Sequence, residues 1–219
     1  MSPNGHYGAV TTFLTGDSYA KPGAFSTRTD IIDMRTGRVL FDLAGLTVSR
    51  NGKPFHAVDF NFWGVTFSND GRHFFATLGT SGQTYLIEGN LETRRASVIT
   101  SNVACPSLSP NGRYIAFKRL VPGSGVIWRL AVLDLATHKV HLLAETRSVD
   151  DQVEWLNNRT IIYGLEDVGY ASLYPFNADP PSTISGLPQV TSTWSVPADG
   201  RGHPRLFSNG TWSAVVTNR

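Results

Sequence analysis

The sequence predicts an all-β protein, and more narrowly a β-propeller built from four-stranded antiparallel blades. Three observations predict this class: a hairpin motif that occurs three times, a second turn motif that follows the hairpins, and the absence of helical periodicity. Apolar residues alternate or run in short groups, and no 11-residue window holds a 3.6-residue period free of Gly or Pro. Four-stranded units that recur every 40 to 60 residues or so are typical of propellers.

The hairpin motif consists of a strand, a tight turn and a second strand. Its copies are MSPNGHYGAV (1–10), FSNDGRHFFA (67–76) and LSPNGRYIAF (108–117). In the third copy Pro110 sets φ at the first turn position, Asn111 is tolerated at the second, and Gly112 takes the left-handed conformation that closes a bulged hairpin. We therefore expect Gly71 and Gly112 to occupy equivalent positions in successive blades.

The second motif is a turn that begins with Asp or Asn and has Thr three residues later. Its copies are IIDMRTGRVLF (31–41), EGNLETRRASV (88–98) and AVLDLATHKVHL (131–142). They superpose on Asp33, Asn90 and Asp134. The Asp or Asn side chain accepts backbone N–H bonds and Thr does likewise, which closes a hairpin between two strands.

The repeats divide residues 1–219, taken as a single domain, into about four blades. Their approximate bounds are 2–45 plus 211–217, 60–100, 102–145 and 150–209. The first blade lacks its innermost strand, and TWSAVVT (211–217) is predicted to supply it and close the ring. Residues 166–191 are predicted to form a long loop. The alternative is that these blades are part of a larger, six-bladed ring.

Composition and charge exclude several classes of protein. The net charge of the 219 residues is +2 and no basic run exceeds Arg94–Arg95, so nucleic acid is not an expected partner. The single cysteine, Cys105, excludes an internal disulfide and is expected to be a buried, unreactive thiol. The sequence contains no apolar run of about 20 residues and no signal peptide pattern, so we expect neither a membrane span nor an export segment in it.

The repeats resemble those of TolB-like β-propellers, in particular the TolB-like proteins of actinobacteria. The stretches that carry the resemblance are SPNG-x-Y-I-A-F, FSNDG-x-x-F, VLDLATHKV, NFWGVTF, ATLGTSGQTYLIEG, ETRSVDDQVEWL and VPADGRGHPRLF, and they cover nearly the whole chain. The resemblance implies a scaffold that binds a protein or peptide at the bacterial cell envelope. It also implies about six blades and an N-terminal export or anchor segment. Because the sequence has neither, its N-terminal part is expected to be missing.

Propellers bind at the channel mouth, where the innermost strands of all blades converge. Six candidate binding residues stand at the starts of those strands: Asp59, Asn61, Asn102, Asp150, Asp151 and Glu154. Hard oxygen ligands that converge on one axis could hold Ca²⁺ or a cationic group of a partner. The alternative is that they are turn residues in water. The segments 44–60 and 166–191 are the expected adjustable contacts with a partner.

A catalytic site is not predicted, because the motif around Ser18 departs from those of known hydrolases. Gly16-Asp17-Ser18 resembles the first block of GDSL-type hydrolases, and DGRGHP (199–204) resembles their last block. The Asp199–His203 spacing is one residue too long, the oxyanion block is missing, and no helices would support the serine. We therefore expect a non-enzymatic scaffold with no cofactor. The alternative function is a hydrolase, or the propeller of a peptidase, with a site at the channel mouth.

The histidines and tryptophans are expected to have structural roles. His138 and His141 are three residues apart on or beside a strand, so their side chains point to opposite faces and do not form a ready zinc pair. The tryptophans recur at strand positions and are expected to pack between blades rather than bind a ligand. They are Trp63, Trp128, Trp155, Trp194 and Trp212.

Overall fold

The protein is described by a computed structural model, which covers residues 1–14, 26–123, 127–166 and 191–209. The strands in these ranges form four small sheets, the blades of a β-propeller, as the sequence predicts. Their chain order and the antiparallel pairing within each predicted unit follow the repeat. The predicted closing strand at 211–217, most of the predicted loop at 166–191, and Ser18 lie outside the described residues.

Blade 1 has three strands in the described part of the chain. They are β1 (Tyr7–Phe13), β2 (Thr27–Asp33) and β3 (Val39–Asp42), in that order across the sheet. A 3-10 turn at Leu43–Gly45 follows, and the Asp42 carboxylate caps it by accepting from the backbone N–H of Ala44. This turn sends the chain toward the next blade.

Blade 2 is larger than the repeat predicts, because it has six strands. They are β4 (Thr47–Arg50), β5 (Lys53–Pro54), β6 (Asn61–Phe67), β7 (His73–Thr80), β8 (Gln83–Asn90) and β9 (Arg95–Ser101), and the order across the sheet is β5-β4-β9-β8-β7-β6. Strand β4 pairs with β9 in parallel. The segment 44–60, expected from its sequence to be an adjustable loop, therefore contains a hairpin that covers the outer edge of this blade. Its buried Val48 packs into the core and holds it there.

Blades 3 and 4 have four antiparallel strands each, as predicted. Blade 3 contains β10 (Ala104–Leu108), β11 (Tyr114–Leu120), β12 (Trp128–Asp134) and β13 (Val140–Leu142). Blade 4 contains β14 (Glu154–Asn157), β15 (Thr160–Glu166), β16 (Thr191–Pro197) and β17 (Arg205–Asn209). Strands β6, β10 and β14 are the innermost strands of their blades.

The turn chemistry read from the sequence is confirmed. Asp33, Asn90 and Asp134 each accept from the backbone N–H groups two and three residues later. In the third hairpin copy Gly112 has φ of 71°, and the Asn111 side chain accepts from both the Ser109 hydroxyl and the Arg113 N–H. These bonds are local, so each turn is specified by its own residues.

The hairpin turns of successive blades also bond to one another. The Asn69 side chain of blade 2 donates to the carbonyl of Pro110 in blade 3, at 2.7 Å. The backbone N–H of Asn111 in turn donates to the side chain of Asn158 in blade 4, at 2.9 Å. Each bond crosses between neighbouring blades, so the asparagines of the repeat fix the spacing of the blades at this end of the channel.

The core lies in three layers between the blades. Ile31 and Phe74 belong to the layer between blades 1 and 2, Phe75 and Phe117 to that between blades 2 and 3, and Tyr163 to that between blades 3 and 4. Two tryptophans of the innermost strands take part as predicted. Trp63 and Trp155 are 7% and 3% exposed, and the Trp155 indole donates to the carbonyl of Ser107 in the neighbouring blade. Within the described ranges, the chain contains no helix long and apolar enough to span a membrane.

Candidate functional site

The channel mouth is formed by the starts of β6, β10 and β14 and by the segments that precede them. The six predicted binding residues lie at this end, at or just before the starts of the innermost strands. The structure assigns hydrogen-bond partners to each of these side chains. The identity of those partners decides which of the residues are available to a ligand.

Asp59 anchors the turn that leads from the inserted hairpin into β6. Its carboxylate accepts from the Thr80 hydroxyl and from the Ser81 backbone N–H, both at 2.6 Å. These two hydrogen bonds lower the pKa of Asp59. The carboxylate is therefore ionised at neutral pH, and it fixes the turn to the β7–β8 loop.

Asn61 and Asn102 connect neighbouring strands. The Asn61 side-chain oxygen accepts from the backbone N–H and the hydroxyl of Thr27, which ties blade 1 to blade 2. Asn102 has a left-handed φ of 58°, and its amide both donates to and accepts from the backbone of Leu120, at 2.9 Å in each case. Each asparagine thus completes the hydrogen bonding of a strand end.

The remaining three residues lie on the segment 145–154, which we call the blade 3–4 connector. Asp150 accepts from the ammonium group of Lys118 at 2.5 Å, where the lysine side chain is 9% exposed and the aspartate 73%. Asp151 accepts from the backbone N–H of Gly164 at 2.8 Å. Asp150, Asp151 and Glu154 thus share the connector but have different partners, and Asp59, Asn61 and Asn102 each belong to a separate local contact.

Glu154 differs from the others because its environment disfavours its charge. Burial raises the pKa of its carboxyl, and the nearby charge of Asp151 raises it further, against a hydrogen bond from the Ser107 hydroxyl at 3.2 Å. Burial likewise raises the pKa of the Cys105 thiol, which lies near Lys118. The region around the start of β14 is thus a poorly solvated part of the channel wall.

A buried ion pair at the start of the connector was not predicted from the sequence. The Glu145 carboxylate, 1% exposed, accepts from the Arg147 backbone N–H, from two atoms of its guanidinium at 2.8 and 2.6 Å, and from the Tyr163 hydroxyl. The Arg147 guanidinium also stacks on the Trp194 ring at 3.9 Å. Burial opposes ionisation of Glu145, but these hydrogen bonds outweigh it and lower its pKa. This network joins the connector to blade 4.

A second unpredicted feature is an aromatic platform, formed by the exposed Arg50, the partly buried Phe55 and Phe60 and the buried Tyr85, and Val58 lies between the two phenylalanines in the chain. The Arg50 guanidinium lies 4.8 Å from the Tyr85 ring centroid and 5.6 Å from that of Phe55. Phe55 packs edge-on against Phe60 at 5.1 Å. Val58 is fully exposed, in the turn that Asp59 anchors. The sequence signal for this platform was the aromatic composition of 44–60.

The hydrogen bonds at the channel mouth stabilise the fold, and the neighbouring platform presents an exposed surface. Among the described residues, no group of three or more His, Cys, Asp and Glu side chains is placed to hold a metal ion. His138 and His141 lie beside and on β13, and His141 contacts the carbonyl of Ala198 at 2.8 Å. Binding of Ca²⁺ or of a cationic group at the six selected residues stays a prediction.

Comparison with known proteins informs the fold. No protein-family model matches the sequence, and no curated protein matches it. A solved structure described as a candidate TolB from Agrobacterium tumefaciens matches with a TM-score of 0.52 and 13% identity, over 95% of this chain and 65% of that one. An acylaminoacyl peptidase in complex with Z-Gly-Gly-Phe-chloromethyl ketone matches with a TM-score of 0.51 and 16% identity, over 72% of this chain and 26% of that one.

The AtxE2 isopeptidase is similar at the same level. It matches with a TM-score of 0.50 and 14% identity, over 66% of this chain and 28% of that one. The chain thus spans about a quarter of the length of the two peptidases and about two thirds of the TolB chain. Identities this low show the fold alone. The chain has the β-propeller fold of TolB-like proteins, a fold that it shares with the propellers of peptidases.

Proposed function

We propose that this chain is a non-catalytic TolB-like propeller that binds a protein or peptide partner at the bacterial cell envelope. The resemblance of its repeats to TolB-like proteins of actinobacteria supports the envelope location. The observation that carries the proposal is the aromatic platform with the exposed Val58. Rigid scaffolds commonly place their binding surfaces on the loops at one end, and this surface lies on such a segment.

The platform has the properties of a preformed contact surface. Val58 is 100% exposed, and Asp59 fixes its turn through two hydrogen bonds of 2.6 Å. Arg50 is exposed, and its guanidinium lies over two aromatic rings. A surface that is fixed before binding loses little conformational freedom on binding. Aromatic and arginine side chains are also the residue types enriched at protein interfaces.

Photo-crosslinking tests this proposal. A photoreactive amino acid at position 58 should give a discrete crosslinked product in the native host, whereas the same residue at Val39, a half-exposed position in blade 1, should not. With the partner then purified, Val58→Asp should weaken its binding about tenfold or more, because full burial of a valine contributes about 1.5–3 kcal/mol. Val39→Asp is the matched control. Equal weakening by both variants, or equal crosslinking at both positions, would rule out the platform.

A second candidate function is the propeller of a peptidase. The similarity to an acylaminoacyl peptidase and to the AtxE2 isopeptidase, confined to about a quarter of each, supports it. Coding sequence for a hydrolase domain adjacent to these residues would favour it. Ester hydrolysis by this chain that disappears in Ser18→Ala would instead favour a site of its own, and Ser18 lies outside the described residues.

Calcium binding at the mouth is a separate proposal. Asp150 is the first candidate, because its side chain is 73% exposed. A rise in Tm with millimolar Ca²⁺, reduced in Asp150→Asn and absent with Mg²⁺, would support a site there. An unchanged Tm would count against it.

A further inference from the structure

Two arginines face each other across blade 3. Arg119 of β11 is the cross-strand partner of Arg129 in β12. Side chains alternate between the faces of a strand, so both lie on the same face as Phe117 and Ala131, which pack toward blade 2. Both arginines are half-buried. The pair therefore lies at the edge of the layer between blades 2 and 3.

Such a pair is unfavourable without a counter-charge. Directly opposed residues in an antiparallel sheet have Cβ atoms about 5 Å apart, and like charges there are destabilising. Blade 2 has no such pair of like charges. Its residue equivalent to Arg119 is Leu78, since each lies seven positions after the glycine of its hairpin turn, and Leu78 pairs with Tyr85. The repeat thus accommodates an uncharged pair at this position, and blade 3 has two cations there.

Among the described residues, no ion pair joins a carboxylate to either of the two arginines. Arg129 donates to the backbone carbonyls of Glu145 at 2.9 Å and Leu143 at 3.4 Å, which orient its guanidinium but carry no full charge. Among the residues that the structure describes, Arg119 has no hydrogen bond or ion pair. Asp150 pairs with Lys118, whose side chain points to the opposite face, and the Glu145 carboxylate pairs with Arg147.

We infer that Arg119 and Arg129 form a binding site for an oxyanion, a carboxylate or a phosphate. A guanidinium offers a planar fork of N–H donors that matches two oxygens of such a group. The carbonyl contacts of Arg129 use its Nε and Nη2 atoms and orient the guanidinium, so its Nη1 group is the donor left for a ligand, and Arg119 supplies a complete fork. A bound oxyanion accepts hydrogen bonds from both and removes the like-charge repulsion between them. This site is distinct from the aromatic platform and does not depend on the proposed partner.

Binding measurements on the full chain test the site. The probes are inorganic phosphate and N-acetyl-triglycine with a free carboxylate, with amidated N-acetyl-triglycine and KCl of equal ionic strength as references. We expect saturable binding of phosphate or of the free-carboxylate peptide by titration calorimetry. Arg119→Leu, which introduces the residue of blade 2, should weaken that binding about tenfold or more, since hydrogen bonds to charged groups contribute about 1.5–3 kcal/mol. Arg38→Leu, an exposed arginine of blade 1, is the control with the same change in charge.

The results distinguish a phosphate ligand from a carboxylate ligand, and they also test whether the site exists. Binding of phosphate alone assigns a phosphate ligand, and binding of the free but not the amidated peptide assigns a carboxylate. Either result supports the inference if the Arg119→Leu variant no longer binds the probe and the Arg38→Leu variant still does. Absence of saturable binding by both probes, or equal binding by the two variants, would overturn it. A circular dichroism spectrum of Arg119→Leu like that of the wild type ensures that lost binding does not reflect unfolding.

Discussion

Substitution of Glu145 by Leu removes the acceptor of a buried ion pair and leaves its donors in place. The carboxylate is 1% exposed, and three of its hydrogen bonds come from Arg147 and one from the Tyr163 hydroxyl. After the substitution the Tyr163 hydroxyl is buried without its acceptor. The guanidinium of Arg147, whose side chain is 35% exposed, keeps its stacking on Trp194 and regains only part of its hydration.

The expected cost follows from these contacts. Removal of one partner of a buried ion pair destabilises proteins by about 3–5 kcal/mol. Because Arg147 is partly exposed, we expect the lower end of this range, about 3 kcal/mol. For a chain of this size that corresponds to a fall in Tm of about 6–12 °C. The loss should be largest above pH 4.5, because the lowered pKa of Glu145 means that its contribution is present above the unfolded-state pKa and decreases as pH falls through the folded-state pKa.

Thermal unfolding of the wild type and Glu145→Leu at pH 7 and at pH 3 measures both effects. Glu92→Leu is the control, because its ion pair with Arg72 spans 3.8 Å between side chains that are 69% and 68% exposed. An exposed pair of this kind contributes about 0–1 kcal/mol. If Glu145→Leu and Glu92→Leu lower Tm equally at pH 7, or if the Glu145→Leu difference does not shrink at pH 3, the ion pair is not the stabilising element.

Three further substitutions test other parts of the fold. Glu154→Gln should stabilise the protein at pH 7 but not at pH 4 in urea titrations. The pKa of Glu154 is raised in the folded protein, so the wild type loses stability as pH rises from the unfolded-state pKa to the folded-state pKa. Equal effects at both pH values would contradict this. Gly64→Ala should lower the free energy of unfolding by about 1–3 kcal/mol more than Gly37→Ala. Both glycines have positive φ, but only at Gly64 would the new Cβ lie 2.9 Å from the Cα of Cys105. Asn69→Ala should lower the free energy of unfolding by about 1 kcal/mol in the same titrations, because it removes a hydrogen bond to the next blade. An unchanged free energy of unfolding would show that this hydrogen bond does not stabilise the fold.

The blade architecture could be predicted because its signals are local. A turn requires a left-handed glycine and a side chain that accepts from N–H groups two and three residues away, and both requirements are met within a few positions. Gly112 and Asp134 show this, since each does what its own sequence motif indicates. The repeat of these motifs then predicts the four antiparallel strands of blades 3 and 4, and four of the six strands of blade 2.

The candidate site could be located only in part. Binding at the starts of the innermost strands stays a prediction, and the sequence could not give the partners of their side chains. Asp59 contacts Thr80 and Asn61 contacts Thr27, at separations of 21 and 34 residues. No local pattern specifies contacts over such distances. The pairing of Arg119 with Arg129 follows only from the register of β11 and β12.

By itself, then, the sequence determined the class of fold, the turns and the positions of most strands, because hydrogen bonds within hairpins involve residues close in the chain. Tertiary structure alone decided that β4 adds in parallel to β9 and that Glu145 is buried between blades. It also decided which carboxylates are paired. These features depend on which distant segments pack together, and that choice is made by the burial of the interblade layers as a whole rather than by any short stretch of residues.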